Sequence, residues 1–320
     1  MKAAVYYAPG PPDVLQYEEV EAPAVHPKGV VVDVEAISIE GGDTLNRLGG
    51  AMTSTPHIVG YQCAGTIREV GAAVTDREVG RRVVCTMANG SHAEQVAVPA
   101  TSTWPVPDGL DTVTAACVPI AFGTADDCLF EFGRLRSGET VLIQAGAGGV
   151  GLAAIQLARR AGATVLATAS SDDKLERLQE YGLHHGINYR EGDFAAEARR
   201  LTDGRGVDLV VDSVGSTLPG SLRALAYRGR VSYVGNAGRD STRIDASALM
   251  GGNQSITGVF LGAELALGTR AHENIDRLLG EVAAGDLQVV IDRTFPLSEA
   301  AAAHAYLEDR RAFGRVVLVP

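Results

Sequence analysis

The sequence predicts an α/β protein made of a β-rich part and a doubly wound parallel sheet. The first observation is a series of short branched runs, separated by Pro- and Gly-rich turns, over residues 1–120. The second is the alternation of strand-like and helix-like segments from about residue 121, which is typical of a parallel sheet. The third is a glycine-rich turn at residues 146–151, with a strand pattern before it and a helix pattern after it.

Five strands are predicted in the first part, where branched residues recur in short runs. Turns rich in proline and glycine, such as Pro9-Gly-Pro-Pro12, separate them. The predicted strands are Lys2–Tyr6, Gly29–Ile37, Cys63–Val70, Arg82–Cys85 and His92–Val98.

The second part is organised around one strand–helix–strand unit. Thr140–Gln144 has the apolar run of a strand buried on both faces, Leu152–Arg160 has helical spacing, and Thr164–Thr168 is predicted as the next strand. The alternation then continues to the end of the chain. Further helices are predicted at Lys174–Tyr181, Ala195–Thr202, Leu218–Leu225, His272–Ala284 and Ser298–Glu308, and further strands at Gly186–Asn188, Leu209–Ser213, Arg230–Gly235, Ser255–Phe260, Val289–Phe295 and Arg315–Val319.

The glycine-rich turn predicts a dinucleotide site. A pyrophosphate is favoured at a helix N-terminus, where free N–H groups and the helix dipole attract negative charge. Glycines let the phosphates approach the backbone and let the helix pack close to the strand. The residues expected to hold the pyrophosphate are Gly146, Ala147, Gly148, Gly149 and Val150.

The end of the second strand favours NADPH over NADH. Proteins that bind NAD usually carry an acidic residue there for the ribose hydroxyls, but this strand ends in Ser170 and Ser171. Both hydroxyls, with Lys174 one turn later, suit a 2′-phosphate, and Tyr189 is expected to close that pocket.

Asp172 and Asp173 allow an alternative interpretation, in which they accept hydrogen bonds from the ribose. We favour the interpretation in which Ser171 caps a helix and the two aspartates complement its dipole.

Composition limits the possible functions. With 320 residues the chain is long enough for two domains, and its net charge of −11 argues against general binding to nucleic acids or anionic membranes. No apolar run has the length of a membrane span, and the N-terminus lacks a signal-peptide pattern. The four scattered cysteines indicate a reducing, cytoplasmic location without disulfides.

The whole chain resembles the medium-chain dehydrogenase/reductase superfamily, and within it the zinc-free NADPH:quinone oxidoreductases (ζ-crystallin-like). The resemblance rests on the opening KAAVYYAPGPPDVL, on AGAGGVG with IQLARRAGA, on DLVVDSVG and VSYVGNAG, and on the closing FGRVVLVP. It implies a GroES-like catalytic domain over 1–120 and 261–320, a Rossmann domain over 121–260, and a homodimer formed through the strand Ser255–Phe260.

The resemblance also implies which positions would hold the catalytic zinc of the zinc-dependent cousins. They are Glu40, Tyr61 and Ile120, and tyrosine and isoleucine do not make such a site. His57 and His92 lack partners at motif spacing, so no metal is expected.

Without zinc, such enzymes reduce small substrates that are already electrophilic, namely quinones, enones or enoyl thioesters. Hydride passes from the nicotinamide to the β-carbon or the quinone ring, and the anion formed takes a proton from water or a side chain. The protein mainly supplies orientation and electrostatics.

The expected catalytic residues are Glu40, Tyr61 and Thr124. Glu40 stands where quinone reductases usually carry Asn, and burial in a pocket would raise its pKa enough for it to act as a general acid. The alternatives are an exposed loop carboxylate or a partner for Arg47, and for Tyr61 a core tyrosine. Leu45 and Ala51 replace the usual tyrosines of the family, which indicates a wider, less aromatic pocket.

Other cofactor contacts follow from the resemblance. Thr124 and Asn236 are expected near the nicotinamide, Phe260 and Leu261 on its other side, and Arg310 or Arg315 at the adenosine phosphate. Asp126 and Asp127 either line the pocket or start a helix, and the sequence does not decide between these roles.

Three functions remain open at this stage. The favoured one is a soluble NADPH-dependent reductase of quinones or activated C=C bonds. The second is a biosynthetic enoyl reductase or a reductive cyclase, and the third is a non-catalytic NADPH-binding protein. Turnover of NADPH with a panel of enones separates these classes.

Overall fold

The computed structural model describes residues 1–240 and 242–320. The chain forms two compact units, one of residues 1–120 and 269–320 and the other of residues 121–268. The second unit ends at Gly268, whereas the sequence-based division lay at residue 260, because the helix Leu261–Leu267 belongs to it.

The predicted α/β fold class is confirmed, and the elements follow one another in three stretches. The first contains β1 (Lys2–Tyr6), β2 (Gln16–Glu19), β3 (Gly29–Ser38), α1 (Gly41–Gly49), β4 (His57–Ile58), β5 (Gln62–Val70), β6 (Arg82–Thr86), β7 (Gln95–Pro99), β8 (Thr103–Pro105), α2 (Thr112–Ala115) and the start of α3 (Pro119–Asp126). The second contains β9 (Thr140–Ile143), α4 (Gly149–Arg160), β10 (Thr164–Ala169), α5 (Asp172–Gln179), β11 (His185–Asn188), α6 (Phe194–Arg200), β12 (Val207–Asp212), α7 (Leu218–Ala224), β13 (Leu225–Tyr233), β14 (Ser255–Gly258) and α8 (Leu261–Leu267). The third contains α9 (Arg270–Ala283), β15 (Ile291–Pro296), α10 (Ala300–Glu308) and β16 (Arg315–Val319).

The first unit is built on a seven-stranded sheet. Its strands run in the order β15-β16-β3-β5-β6-β8, and β7 pairs with β3 beside them. Strand β16 pairs antiparallel with β3, with Val317 opposite Ser38, so strands from both ends of the unit's sequence share one sheet. A smaller sheet, β2-β1-β4, stands apart from it. The core contains the inward residues of both β3 and β16, together with the buried face of α10.

The second unit is a parallel six-stranded sheet in the order β11-β10-β9-β12-β13-β14. Counted from β9, this is the doubly wound order in which ligands bind at the carboxyl ends of the strands, where the strand order reverses. All four residues of β9 are buried, as expected for a strand covered on both faces. The predicted strand–helix–strand unit is therefore present as β9, α4 and β10.

Helix α1 was not predicted from the sequence. It begins with Gly41 and Gly42, and glycine is among the poorest helix formers. Its N-terminus is stabilised by a capping box between Glu40 and Asp43, in which the Asp43 side chain accepts a hydrogen bond from Glu40 N at 2.8 Å.

Asp126 is the last residue of α3, and Asp127 is the first residue of a π-helical turn that ends at Glu131, so of the two only Asp127 begins a helical segment. One further prediction needs correction. The predicted strand Ser255–Phe260 ends at Gly258, because Phe260 already caps α8.

All four cysteines are buried, and the Sγ atoms of Cys63 and Cys85 lie 3.2 Å apart. Within the described residues, no helix has the length and apolar character required to cross a bilayer.

Candidate active site

The glycine-rich turn joins β9 to α4, and its glycines have distinct roles. A Cβ on Gly151 would lie 2.4 Å from Ala145 O, and one on Gly146 would lie 2.8 Å from Ala167 Cβ. These two glycines let the helix pack against the strands. Gly148 is the N-cap of α4, and a Cβ there would meet only Ala145 O, at 3.3 Å. The space that a Gly148 side chain would occupy adjoins the first N–H groups of the helix, among them those of Gly149 and Val150. A pyrophosphate requires this arrangement.

Thr168, near the end of β10, holds this turn in place. Its hydroxyl accepts a hydrogen bond from Ala145 N at 3.1 Å and donates one to Gln144 Oε1 at 2.8 Å. Its carbonyl accepts from Gly146 N at 2.8 Å. Ala145 has a φ of 53°, a left-handed conformation that is unfavourable for a residue with a Cβ, and these bonds help to fix it.

The contacts of Thr168 continue into a buried polar network below the turn. Gln144 Nε2 donates to Ser221 Oγ at 3.2 Å, and Ser221 Oγ donates to Asp212 Oδ2 at 2.7 Å. Asp212 also accepts from Val214 N and Gly215 N, both at 3.0 Å. The network joins the carboxyl ends of β9, β10 and β12, and sequence reasoning missed it. The sequence did contain a signal for it. Asp212 stands at a strand end and is followed by Ser-Val-Gly, a pattern typical of a turn in which the Asp side chain accepts backbone hydrogen bonds.

The residues predicted for the 2′-phosphate lie together at the ends of β10 and β11. Ser170 and Ser171 follow β10, and Ser171 is the N-cap of α5, with Lys174 in the first turn of that helix. Tyr189 N donates to Ala169 O at 3.2 Å, which places Tyr189 beside them. All four side chains are partly exposed. Asp172 and Asp173 lie in the first turn of α5, as the favoured interpretation expects, but the Ser171 side chain makes no capping hydrogen bond. Asp172 instead accepts a hydrogen bond from Asn188 Nδ2 at 3.1 Å.

Asn236 lies in the loop after β13, and that loop is bonded to the loop after β12. Ala237 N donates to Ser213 O at 3.1 Å, and Gly238 N donates to Val214 O at 2.8 Å. The side-chain oxygen of Asn236 is buried and has no hydrogen-bond partner in the described part of the chain. Buried acceptors are rarely left without a donor, so this oxygen fits an amide N–H of a ligand such as the nicotinamide carboxamide.

The other predicted nicotinamide contacts belong to the same unit. Thr124 is buried in α3 and Leu261 is buried at the start of α8, whereas the side chain of Phe260 is 74% exposed. Arg310, proposed for the adenosine phosphate, is an exposed residue after α10 and belongs to the first unit.

Glu40 is the centre of a buried cluster in the first unit. Its Oε1 accepts hydrogen bonds from Arg315 Nη2 and from Gln62 Nε2. Arg315 also donates to Ser38 Oγ at 3.0 and 2.6 Å and to Ile39 O at 2.8 Å. Glu40 is therefore not an exposed loop carboxylate, and Arg315 is held here rather than at the adenosine phosphate.

Arg47 is engaged elsewhere, so it is not the partner of Glu40. It forms an ion pair with Glu308 and donates from Nε to His304 Nδ1 at 3.2 Å. His304 Nε2 lies 3.0 Å from His92 Nε2, so the two buried histidines pair with each other. These bonds fix α1 to α10, and with it the turn that carries Glu40.

Gln62 links the three positions at which zinc-dependent cousins carry ligands. While its Nε2 donates to Glu40, its Oε1 accepts from Ile120 N at 3.0 Å. Tyr61 precedes it, and the Tyr61 hydroxyl accepts a hydrogen bond from Asn46 Nδ2 at 3.0 Å. Protein groups thus bond to one another at these positions. Among the residues that the structure describes, no group of three or more His, Cys, Asp or Glu side chains is placed to hold a metal ion.

Burial dominates the electrostatics of the cluster. It raises the pKa of Glu40, while the Arg315 guanidinium and the Gln62 amide act in the opposite direction. Burial also raises the pKa of Asp43 well above its usual range, with the neighbouring Glu40 charge adding to the effect. The pKa of Tyr61 is raised as well, first by burial and then by the Asp43 and Glu40 charges.

Two family profiles match the chain. The family described as an alcohol dehydrogenase GroES-like domain matches residues 26–108, in the first unit. The family described as zinc-binding dehydrogenase matches residues 149–280, which include the glycine-rich turn.

Individual relatives match the chain over its whole length. It is 36% identical to a 2-haloacrylate reductase of Burkholderia sp., with 99% of this chain and 98% of the relative covered. It is 34% identical to a quinone oxidoreductase of Pseudomonas aeruginosa, with 100% and 99% covered. Among solved structures, the quinone oxidoreductase of Escherichia coli complexed with NADPH superposes with a TM-score of 0.95 at 29% identity, and all of both chains is covered.

The buried pair of Glu40 and Arg315 generates a stability prediction. Arg315→Met leaves the Glu40 carboxylate buried without its counter-charge, so the free energy of unfolding should fall by about 3–5 kcal/mol. The exposed pair of Arg68 and Asp33, on the same sheet, provides the control, and Arg68→Met should cost about 1 kcal/mol or less.

Urea unfolding monitored by circular dichroism measures both effects. The double variant Glu40→Gln, Arg315→Met should recover part of the loss, because Gln carries no charge at that position. An Arg315→Met variant that loses no more stability than Arg68→Met contradicts the importance of the pair.

Proposed function

Because the chain belongs to the medium-chain dehydrogenase/reductase superfamily, where its relatives include quinone oxidoreductases and a 2-haloacrylate reductase, we propose that it reduces activated C=C bonds or quinones with NADPH. The substrate is a small electrophile such as an enone, an enoyl derivative or a quinone. The two whole-length relatives named for their substrates reduce one class each, and both classes accept hydride at an electron-poor carbon.

The observation that carries this proposal is the state of Glu40. Its carboxylate is paired with Arg315, and Gln62 connects it to the backbone of Ile120. A zinc ion does not fit there, because the guanidinium already supplies the positive charge and neither a phenol nor an isoleucine replaces the missing ligands. Without a Lewis acid at these positions, the carbonyl of a simple ketone stays unpolarised, which favours substrates that are electrophilic by conjugation.

The residues of the second unit bind and orient the cofactor. When bound, NADPH supplies a hydride from C4 of its nicotinamide. The N-terminus of α4 holds the pyrophosphate, and Ser170, Ser171, Lys174 and Tyr189 hold the 2′-phosphate. Asn236 accepts the carboxamide N–H and so fixes the face that the ring presents. Thr124 and Leu261 belong to the same nicotinamide site.

The residues of the first unit complete the reaction. Hydride addition to the β-carbon leaves negative charge on the enolate, and the α-carbon then takes a proton. We assign that proton to Glu40, because burial raises the pKa of its carboxyl group although the Arg315 guanidinium acts in the opposite direction. Tyr61 contributes a hydroxyl that positions the substrate. A hydroquinone anion is a weaker base and takes its proton from water.

The first prediction from this proposal concerns turnover. The parent protein should oxidise NADPH in the presence of enones or quinones. Glu40→Gln keeps the acceptor oxygen for Arg315 but removes the ionisable proton, so the rate with an enone should fall by about 10²-fold or more, the usual scale of general acid catalysis. The rate with a quinone should change much less. NADPH consumption followed by absorbance measures both rates.

Two controls accompany this experiment. Glu35→Gln, on the exposed face of β3, should leave both rates unchanged. The decline of activity at high pH, where the acid is deprotonated, should be absent in Glu40→Gln. If Glu40→Gln turns over the enone at the full rate, the proton comes from solvent and not from Glu40. If the parent oxidises NADPH with none of the enones or quinones, the proposed function is wrong.

Cofactor preference provides the second prediction. NADPH should bind at least about tenfold tighter than NADH, a difference of about 1.4 kcal/mol. Lys174→Ala should remove much of this preference by weakening NADPH alone, because only NADPH carries the 2′-phosphate. Lys28→Ala, an exposed lysine in the other unit, is the matched control. Titration followed by fluorescence gives the affinities, and equal affinity of the parent for both cofactors is the contradicting result.

Assembly provides the third prediction. Among the residues that the structure describes, β14 pairs with β13 alone, and both of its ends are exposed. An open strand edge is usually covered, and two-fold pairing of β14 with a second copy covers it symmetrically. We therefore expect a homodimer, and Ser255→Lys should weaken it by placing a charge on the edge. Light scattering at micromolar concentration measures the mass, and the mass of a single chain for the parent refutes the dimer.

A further inference from the structure

A cavity lies in the nucleotide-binding unit, away from the glycine-rich turn. Its volume is about 420 Å³, within the range of ligand pockets. Leu225 is the first residue of β13 and Gln254 immediately precedes β14, so the cavity lies at the amino ends of these strands. The dinucleotide turn follows the carboxyl end of β9, and the sheet is parallel. The cavity and the dinucleotide turn therefore lie at opposite ends of the parallel strands.

Three arginines line this cavity, and they are not equivalent. Arg199 donates to three backbone carbonyls, Gly204 O at 2.9 Å, Leu225 O at 3.0 Å and Arg223 O at 3.2 Å, and so builds the wall. Arg223 pairs with Asp193 at 3.1 Å. Arg243 makes no side-chain hydrogen bond or ion pair with the part of the chain that the structure describes, and its guanidinium remains available to a ligand.

The balance of charge at the cavity selects a ligand with a single negative charge. Three guanidinium groups, those of Arg199, Arg223 and Arg243, and one carboxylate, that of Asp245, line the cavity. Asp193 offsets the charge of Arg223 from outside the lining, which leaves one positive charge in excess. Asp245 accepts a hydrogen bond from Ser247 N at 2.9 Å and stays in the wall. A phosphate dianion would be repelled by this carboxylate, whereas a monocarboxylate matches the excess charge and the forked geometry of a guanidinium.

The remaining lining is apolar. Leu222 and Leu225 are buried and belong to the hydrophobic core of the unit, so the floor of the cavity is the core itself. Ile244 and Ala248 also line the cavity. An aliphatic or aromatic body placed against these residues would bury apolar surface at about 25 cal/mol per Å².

We infer that this cavity binds a small monocarboxylate with an apolar body. The carboxylate pairs with Arg243, and the body packs against Leu222 and Leu225. The site is independent of hydride transfer, because it shares no residue with the dinucleotide turn or with the Glu40 cluster. A carboxylate bound there contacts α6, α7 and the segment before β14, the strand at the open edge of the sheet.

Octanoate is the probe for this site, and ligand-observed NMR measures its binding with NADPH present at saturation. Affinity should rise along the series acetate, butanoate, octanoate as more apolar surface is buried. Arg243→Gln should weaken octanoate binding at least about tenfold, or 1.4 kcal/mol. Arg243→Lys, which keeps the charge but loses the forked geometry, should fall between Arg243→Gln and the parent. Arg136→Gln, an exposed arginine of the same unit, is the matched control and should bind octanoate as the parent does.

The outcomes also separate this inference from the proposed function. Equal octanoate affinity in the parent and in Arg243→Gln overturns the inference, and so does loss of octanoate binding when NADPH is added, which would place the probe in the reaction site. Octanamide is neutral, so the parent should bind it more weakly than it binds octanoate. The parent and Arg243→Gln should bind octanamide with the same affinity. NADPH turnover should be unchanged in Arg243→Gln, so a protein without any reductase activity would refute the proposed function and leave this binding test intact.

Discussion

The ion pair between Glu40 and Arg315 constrains the whole first unit. The two residues are 275 positions apart, and both are almost completely buried. Each charge would be very costly to bury alone, so the burial of the two charges and the pairing of β16 with β3 depend on each other. The bonds from Arg315 to Ser38 and Ile39 then set the position at which these strands meet. A break in this pair would affect the sheet, the start of α1 and the candidate proton donor together.

The second unit also buries polar groups, but there they are three uncharged side chains and one carboxylate. Thr168, Gln144 and Ser221 lead from the glycine-rich turn to Asp212, and every one of these polar groups is buried with a partner. A fully satisfied network of this kind gives rigidity without a free charge near the cofactor. It also holds Ala145 in its left-handed conformation, so that the N–H groups of the turn are oriented before any phosphate arrives.

Local patterns made the nucleotide-binding unit predictable. Glycines, an apolar strand and helical spacing fall within about thirty residues, and each has one physical meaning. Helix α1 was not predicted because two glycines at its start are poor helix formers, whereas the capping box and the bonds of Arg47 stabilise the helix.

The long-range pair of Glu40 and Arg315 was not predicted for another reason. Arg47 lies seven residues from Glu40 and was therefore weighed as an alternative partner, whereas nothing local in the sequence indicates Arg315, which is 275 positions away.

The same pairing determines how well Glu40 suits acid catalysis. A carboxyl group that is only buried holds its proton too firmly, because the anion left after transfer has no stabilising partner. Arg315 and Gln62 both donate to the oxygen that would carry this charge, and they lower the cost of forming the anion. Burial and pairing act on the pKa in opposite directions, and because burial is the larger effect, the pKa stays above that of a free glutamate. The groups that stabilise the fold at this point therefore also stabilise the product of proton transfer.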